Sequence, residues 1–356
     1  MPNVLTIPGM VDPHVHLRGM AWSHKGDFTT ETRAAVAGGY WAVFDMPNTP
    51  PATVDRESLD AKLNAIDSQA VCDWGVYFCA AASGNWDQYP AIIGDVCGVK
   101  MFNNSTTGNL LVEDTRIREG HYRHWSADKV FANHAEDETC AAIIELVRRY
   151  RRPTHIVHVC TAYEVDLIRA AKAEGLPITC GVCPHHLWLT ERDVEHLGSL
   201  GRMKPGLKTQ ADQDALWQAL AEGVIDVVES DHAPHTLEEK ATDPAPYGVP
   251  GLETTLPLLL TAVKEGRLTT GQVVALVAEN PRRILGLTCP PDTYTIIDLD
   301  TTRVIDRRSL HTHVGWSPFE GMRVYGKVTE NWIRGTQVYD GESVLVEPGF
   351  GKNCYA

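Results

Sequence analysis

Two histidines one residue apart, His14 and His16 in Val-Asp-Pro-His-Val-His-Leu-Arg, close an apolar run near the start of the chain. On a strand, positions i and i+2 face the same side, so the pair can present two imidazoles to one cation. Four more residues of ligand-forming type sit in or at the ends of later apolar runs. They are Lys100 in Gly-Val-Lys-Met-Phe, His134 in Phe-Ala-Asn-His-Ala-Glu-Asp, His158 in Thr-His-Ile-Val-His-Val and Asp231 in Glu-Ser-Asp-His-Ala-Pro-His-Thr. A lysine ammonium has no lone pair for a metal. The carbamate formed from its amine and CO2 is instead an anion with two oxygens that can bridge two cations. Taken singly, a strand-end histidine reads as a satisfied core residue and a lysine as a stem crossing apolar surface. Taken together, four imidazoles, a carboxylate and a carbamate meet the needs of two hydroxide-bridged cations about 3.5–4 Å apart. The donor set favours zinc and also suits manganese or cobalt. A water shared by two such ions ionises near neutral pH and becomes a hydrolytic nucleophile.

Convergence of these residues requires elements that end together. Candidate strands fall near residues 10–16, 40–46, 74–80, 96–102, 129–134, 154–159, 177–183 and 225–230, alternating with helical patterns such as 136–150 and 162–175. That rhythm is of βα units, and eight of them close a (β/α)8 TIM barrel, an α/β fold whose active site is built at the C-terminal ends of the strands. Two further helices are expected at 252–265 and 270–285. From residue 323 onward the chain reads as short strands with a hairpin at Tyr-Asp-Gly-Glu. The expected organisation is a barrel over residues 10–322 and a small β appendage from residues 1–9 plus 323–356.

Composition narrows the function classes. The chain has 356 residues, 43% hydrophobic and 22% charged, with 32 Lys+Arg against 46 Asp+Glu and a formal net charge of −14. This acidic balance, without a basic block, argues against nucleic acid as a partner. The longest apolar run, around residues 256–263, is broken by Pro257 and is far short of a membrane span. The first residues lack the pattern of a secretory signal, and nine scattered cysteines, an odd number, fit a reduced, cytoplasmic protein. Cys180 and Cys183 form a CxxC, but a strand turns the two thiols in different directions and inert packing is expected. The 15 histidines are a surplus, four of which stand at these strand ends.

The strings Val-Asp-Pro-His-Val-His-Leu-Arg, Asp-Met-Pro-Asn-Thr, His-Ala-Glu-Asp, Ser-Asp-His-Ala-Pro-His-Thr-Leu-Glu-Glu-Lys and Gly-Val-Pro-Gly-Leu-Glu-Thr together resemble dihydroorotase of the amidohydrolase superfamily. The form they resemble is the domain within the animal multifunctional pyrimidine-synthesis protein, and the resemblance runs in order from about residue 8 to residue 350. It implies two zinc ions: His14, His16 and Asp231 on one, His134 and His158 on the other, with carbamylated Lys100 and a hydroxide bridging both. It implies a substrate-carboxylate site of Arg18, Asn48 and His235, and lid contacts from Thr106 and Thr107 in a polar loop after Lys100. The implied reaction is the reversible cyclisation of N-carbamoyl-L-aspartate to L-dihydroorotate, with Asp231 as proton shuttle. A homodimer and association with aspartate transcarbamoylase are implied partners.

Two other readings stay open. One is a cyclic amidohydrolase of the hydantoinase, dihydropyrimidinase or allantoinase type, whose substrates lack the carboxylate that Arg18 and Asn48 would read. The other is a non-catalytic dihydroorotase-like scaffold, against which the presence of all six ligand residues counts. The chain also departs from the family. Arg202-Met-Lys-Pro-Gly-Leu-Lys208 stands where many relatives have Lys-x-Asn-Pro-Pro-Leu-Arg, and Arg18-Gly19-Met20 where they have Arg-Glu-Pro. Val157 and Gly181 occupy positions that in the animal domain supply a Cys and a Glu to an additional zinc, so no such third metal is expected there.

Overall fold

The computed structural model describes residues 3–106, 108–126 and 128–356. Strand β1 (Val4–Pro8) leads into β2 (Met10–Val15), the first of eight parallel strands. The others are β3 (Tyr40–Asp45), β4 (Asp73–Cys79), β5 (Gly98–Phe102), β6 (Val130–His134), β7 (Thr154–Ile156), β8 (Ile178–Val182) and β9 (Val227–Val228), paired in sequence order. Nearly every residue on them is buried, because a parallel sheet wrapped by helices has no wet face. That is why they read as unbroken apolar runs. The ring closes after β9, where Val15 pairs with His232 and His16 N donates to His232 O at 2.7 Å. The eight strands fall within about three residues of the expected ones, as a TIM barrel.

Helices flank the strands and begin where short polar side chains satisfy their free N–H groups. Asp27, Asp55 and Thr161 cap Phe28–Ala37, Arg56–Asp67 and Ala162–Ala173 in this way. The 162–175 helix stops at Ala173, ahead of Gly175 at φ 71°. The expected single helix over 270–285 is instead Thr270–Val274, a π turn Ala275–Glu279 and Asn280–Leu285. Pro281 explains the break: its ring collides with the carbonyl four residues back and it has no N–H for the ladder, so the turn widens.

The antiparallel sheet beside the barrel has the order β1-β10-β11-β12, with β10 at Tyr294–Val304, β11 at Arg323–Ile333 and β12 at Thr336–Tyr339. It therefore includes β10, a segment assigned by sequence to the barrel. The tail around residues 349–354 leaves this sheet and binds the barrel instead, Trp74 N donating to Lys352 O and Cys354 N to Trp74 O. Among the described residues no helix is long and apolar enough to cross a membrane. All nine cysteines are free.

One buried ion pair holds the end of β3. Lys62 Nζ lies 2.6 Å from Asp45 Oδ2, both side chains fully buried, and Lys62 also donates to Met46 O while Leu17 N donates to Asp45 Oδ1. Removing one partner of such a pair strands the other's charge, at a cost of about 3–5 kcal/mol. Lys62→Met is therefore expected to lower unfolding free energy by that amount in urea denaturation, and adding Asp45→Asn to recover part of it.

Candidate active site

Five strands deliver the ligand-type residues to one end of the barrel. His14 lies on β2 with His16 just beyond it, Lys100 lies on β5 and His134 ends β6; His158 and Asp231 lie just past β7 and β9. His14 Nε2 and His16 Nε2 approach the same oxygen, Asp231 Oδ1, at 3.3 and 3.2 Å. The His158 ring lies 5.3 Å from His14 and 4.5 Å from His134, centroid to centroid. Arg18, His158 and Asp231 have φ of 64°, 41° and 45°. Left-handed backbone in such residues costs about 1–3 kcal/mol each and collects where side chains must be aimed. Here it turns the chain out of the strands toward a common centre.

The local chemistry calls for a cation. Burial, reinforced by Lys100, pushes His14 down to about 4; burial also lowers His16 and His134, and takes His158 well below the usual range. Burial works against ionisation of Asp231, but the imidazoles of His14 and His16 outweigh it and hold the carboxyl well below the usual range. His16 Nδ1 donates to Asn48 Oδ1 at 2.7 Å, so in the neutral ring the Nε2 lone pair points at the Asp231 carboxylate. Two buried acceptors facing each other are stable only with a positive charge between them. Lys100 Nζ is fully buried and has no hydrogen-bond partner among the described residues. Burial lowers its ammonium to about 8, which makes a neutral, reactive amine accessible. The residues thus fit metal ions and a carbamate bridge.

Several groups that sequence reasoning missed hold this arrangement. Glu229, fully buried, accepts from His158 N at 2.6 Å and lies 3.3 Å from His155 Nε2 and 3.8 Å from His14 Nδ1. It occupies the space beside Gly181, where an added Cβ would lie 2.5 Å from its carboxyl carbon. Glu136 Oε1 meets His134 Nε2 at 3.0 Å, leaving Nδ1 for a cation, and meets Lys204 Nζ at the same distance. His232, left without a role by sequence, is structural: it binds Glu31 Oε2 and accepts from Gly251 N.

A cleft of about 280 Å³ opens beside the cluster, with Arg18, Asn48, Thr106 and Lys204 around His16 and Asp231. His235 stands behind this lining. Its Nε2 is 3.1 Å from Arg18 Nη2 and 3.0 Å from Tyr247 O, and its Nδ1 is 3.1 Å from Glu239. Arg18 Nε donates to Pro234 O. His235 therefore braces Arg18 rather than facing the cleft directly. Thr107 lies outside the described residues. Lys204 comes from the 202–208 loop that departs from the family, and its basic side chain was the signal for a place in the site.

Comparisons with known proteins agree with this geometry. Residues 3–171 match the family model described as Dihydro-orotase-like. The chain is 42% identical over 99% of its length to the "Multifunctional protein CAD" of Squalus acanthias, of which it spans only 16%. It is 37% identical to a "Dihydroorotase" of Halobacterium salinarum, covering 96% of this chain and 88% of that protein. In three dimensions it resembles the L-hydantoinase of Arthrobacter aurescens, with a TM-score of 0.93, 26% identity and coverage of 98% and 88%. It also resembles the inactive dihydroorotase-like domain of a Chaetomium thermophilum CAD-like protein, with a TM-score of 0.83, 26% identity and coverage of 99% of each chain. The barrel, the metal-ready cluster at its mouth and identity extending over almost the whole of a single-activity relative lead to one assignment: the chain belongs to the dihydroorotase family.

Proposed function

We propose that this chain is a dihydroorotase, a metal-dependent cyclic amide hydrolase that interconverts N-carbamoyl-L-aspartate and L-dihydroorotate. The observation that carries the reading is the cleft that sets the Arg18 guanidinium and Asn48 beside Asp231 and His16. A ring that bears a carboxylate needs such a donor fork; a hydantoin or dihydropyrimidine ring does not. Likeness to an inactive domain is offset by the presence here of all six ligand residues.

His14, His16 and Asp231 would hold one zinc, His134 and His158 the other, with carbamylated Lys100 and Asn48-braced His16 keeping the set in place. The ions, when bound, polarise the amide carbonyl and activate the attacking water. Asp231 accepts the proton of that water and returns it to the leaving ring nitrogen, a base that becomes an acid within one turnover. Arg18, with His235 and Glu239 behind it, fixes the ring carboxylate, while Asn48 and Thr106 border it. Lys204 adds a second cation to the cleft. The negative net charge of the chain makes this local positive field the means of holding an anionic substrate. A homodimer, a cytoplasmic location and association with aspartate transcarbamoylase accord with this role in pyrimidine synthesis.

Turnover of carbamoyl aspartate at mildly acid pH, abolished by a chelator and restored by zinc, is the expected result. No turnover in the metal-loaded protein would leave the scaffold reading, and turnover of hydantoins alone the hydantoinase reading. Arg18→Gln is expected to lower kcat/KM for carbamoyl aspartate by about 10- to 100-fold, the worth of about 1.5–3 kcal/mol for a hydrogen bond to a charged group. The loss should fall mainly on KM, as steady-state kinetics would register.

A further inference from the structure

A second group of metal-ligating side chains lies just after β8 and has no part in the reading above. Cys183 precedes the short helix Pro184–Trp188, which carries His185 and His186. Ligand-capable atoms of Cys183, His185 and His186 all lie within 4.8 Å of one another, and the three residues are 0%, 2% and 2% exposed. Among the described residues the other such group is His14, His16 and Asp231.

Two buried nitrogens of this group have no hydrogen-bond partner among the described residues. His186 Nε2 donates to Pro205 O at 3.1 Å, so in the neutral ring Nδ1 keeps its lone pair, and that buried nitrogen has no hydrogen-bond partner among the described residues. His185 Nε2 is also buried and without a hydrogen-bond partner among the described residues. An unsatisfied buried polar group costs about 1–3 kcal/mol, and two of them beside a thiol need a reason. Cys180, the other half of the CxxC, does not join them: its Sγ lies 3.5 Å from Val224 O, and its thiol is near Asp226 and Lys172. The CxxC is thus split, one thiol on the helix side of the sheet and one among the histidines.

We propose that Cys183, His185 and His186 form a third divalent-metal site, for an ion of zinc type, separate from the paired ions of the proposed function. One thiolate and two imidazoles are borderline-soft donors of the kind zinc takes tetrahedrally. As the metal–sulfur bond forms, the Cys183 thiol gives its proton to solvent, the imidazoles bind as neutral donors through nitrogens that now lack partners, and the ion sheds water, keeping one in the fourth position. The site shares no residue with the positions of Val157 and Gly181, where the animal domain places a different additional zinc.

The test is cobalt titration of the metal-free 356-residue chain. A thiolate ligand gives a near-ultraviolet charge-transfer band with Co2+ that histidines and carboxylates cannot give, so the band reports a bound cysteine without reference to activity, and the variants assign it among the nine cysteines. The expected result is uptake of about three ions per chain, two at the mouth and one with the band. Cys183→Ser should lose the band and one ion and keep the other two, and Cys180→Ser should keep all. Absence of the band at saturating cobalt, its survival in Cys183→Ser or its loss in Cys180→Ser overturns the proposal. If Cys183→Ser does not fold, His186→Gln keeps the thiol and takes its place: it should lose or shift the band and weaken one ion only, and an unchanged band there overturns the proposal. One ion carrying the band, without the other two, would refute the paired-metal reading and leave this site standing.

Discussion

Asp231→Asn is expected to lower carbamoyl aspartate turnover by about 100- to 10,000-fold, the range that a positioned acid–base group contributes. Asp231 Oδ1 is the atom on which both His14 and His16 converge, and neighbouring imidazoles keep it ionised. An amide at this position retains an oxygen but cannot accept the proton of the attacking water. Asparagine is the variant of choice because residue 231 has φ 45°, a conformation Asn tolerates better than other non-glycine residues. Asp231→Ala removes the ligand oxygen as well and should lose both turnover and bound metal. Single-turnover kinetics alongside metal analysis separates the two effects. Normal turnover in the asparagine variant would eliminate Asp231 as the shuttle.

Lys100→Met should have opposite effects on the metal-free and the metal-loaded protein. With no bridging anion, two cations held close together repel each other, so metal content is expected to fall from about two ions to one or fewer at the mouth and turnover to be lost. In the metal-free, CO2-free protein the same change removes a fully buried amine, without a hydrogen-bond partner among the described residues, that burial holds at about 8 against 10.5 unperturbed. A cationic group with a depressed value binds fewer protons when folded, so its penalty is full below pH 8 and disappears as pH rises toward 10.5. A shift of this size corresponds to about 3 kcal/mol. Lys100→Met should therefore stabilise the metal-free chain by up to that amount at neutral pH, and by little at pH 10.5, in paired denaturant titrations. Intact-mass analysis of the wild-type chain should find the increment of one CO2. An unmodified Lys100 with two ions bound would remove the carbamate from the reading.

The barrel was legible because its strands are buried on both faces, so burial is written as apolar runs that need no knowledge of neighbours. The mouth residues were legible for a related reason: each stands at or near the end of such a run, and all strand ends of a parallel barrel meet. The π turn before Pro281 was less so, since helical periodicity continues through it. The extent of the small sheet also escaped, because β10 pairs with β1 across nearly the whole chain, Val4 opposite Asp298. Nothing local marks such a partner.

What the sequence by itself determined was the kind of chemistry: which side chains can bind a metal, and that the strand rhythm brings them to one rim. Tertiary structure alone decided how each is held. His235 faces Arg18 from 217 positions away, Lys204 reaches Glu136 over 68, and Glu229 fills the space left by Gly181. It also decided that Cys183 gathers with His185 and His186. The physical reason is that residue type and strand period are local properties, whereas hydrogen-bond partners, burial and the direction of a lone pair depend on which distant segments pack together.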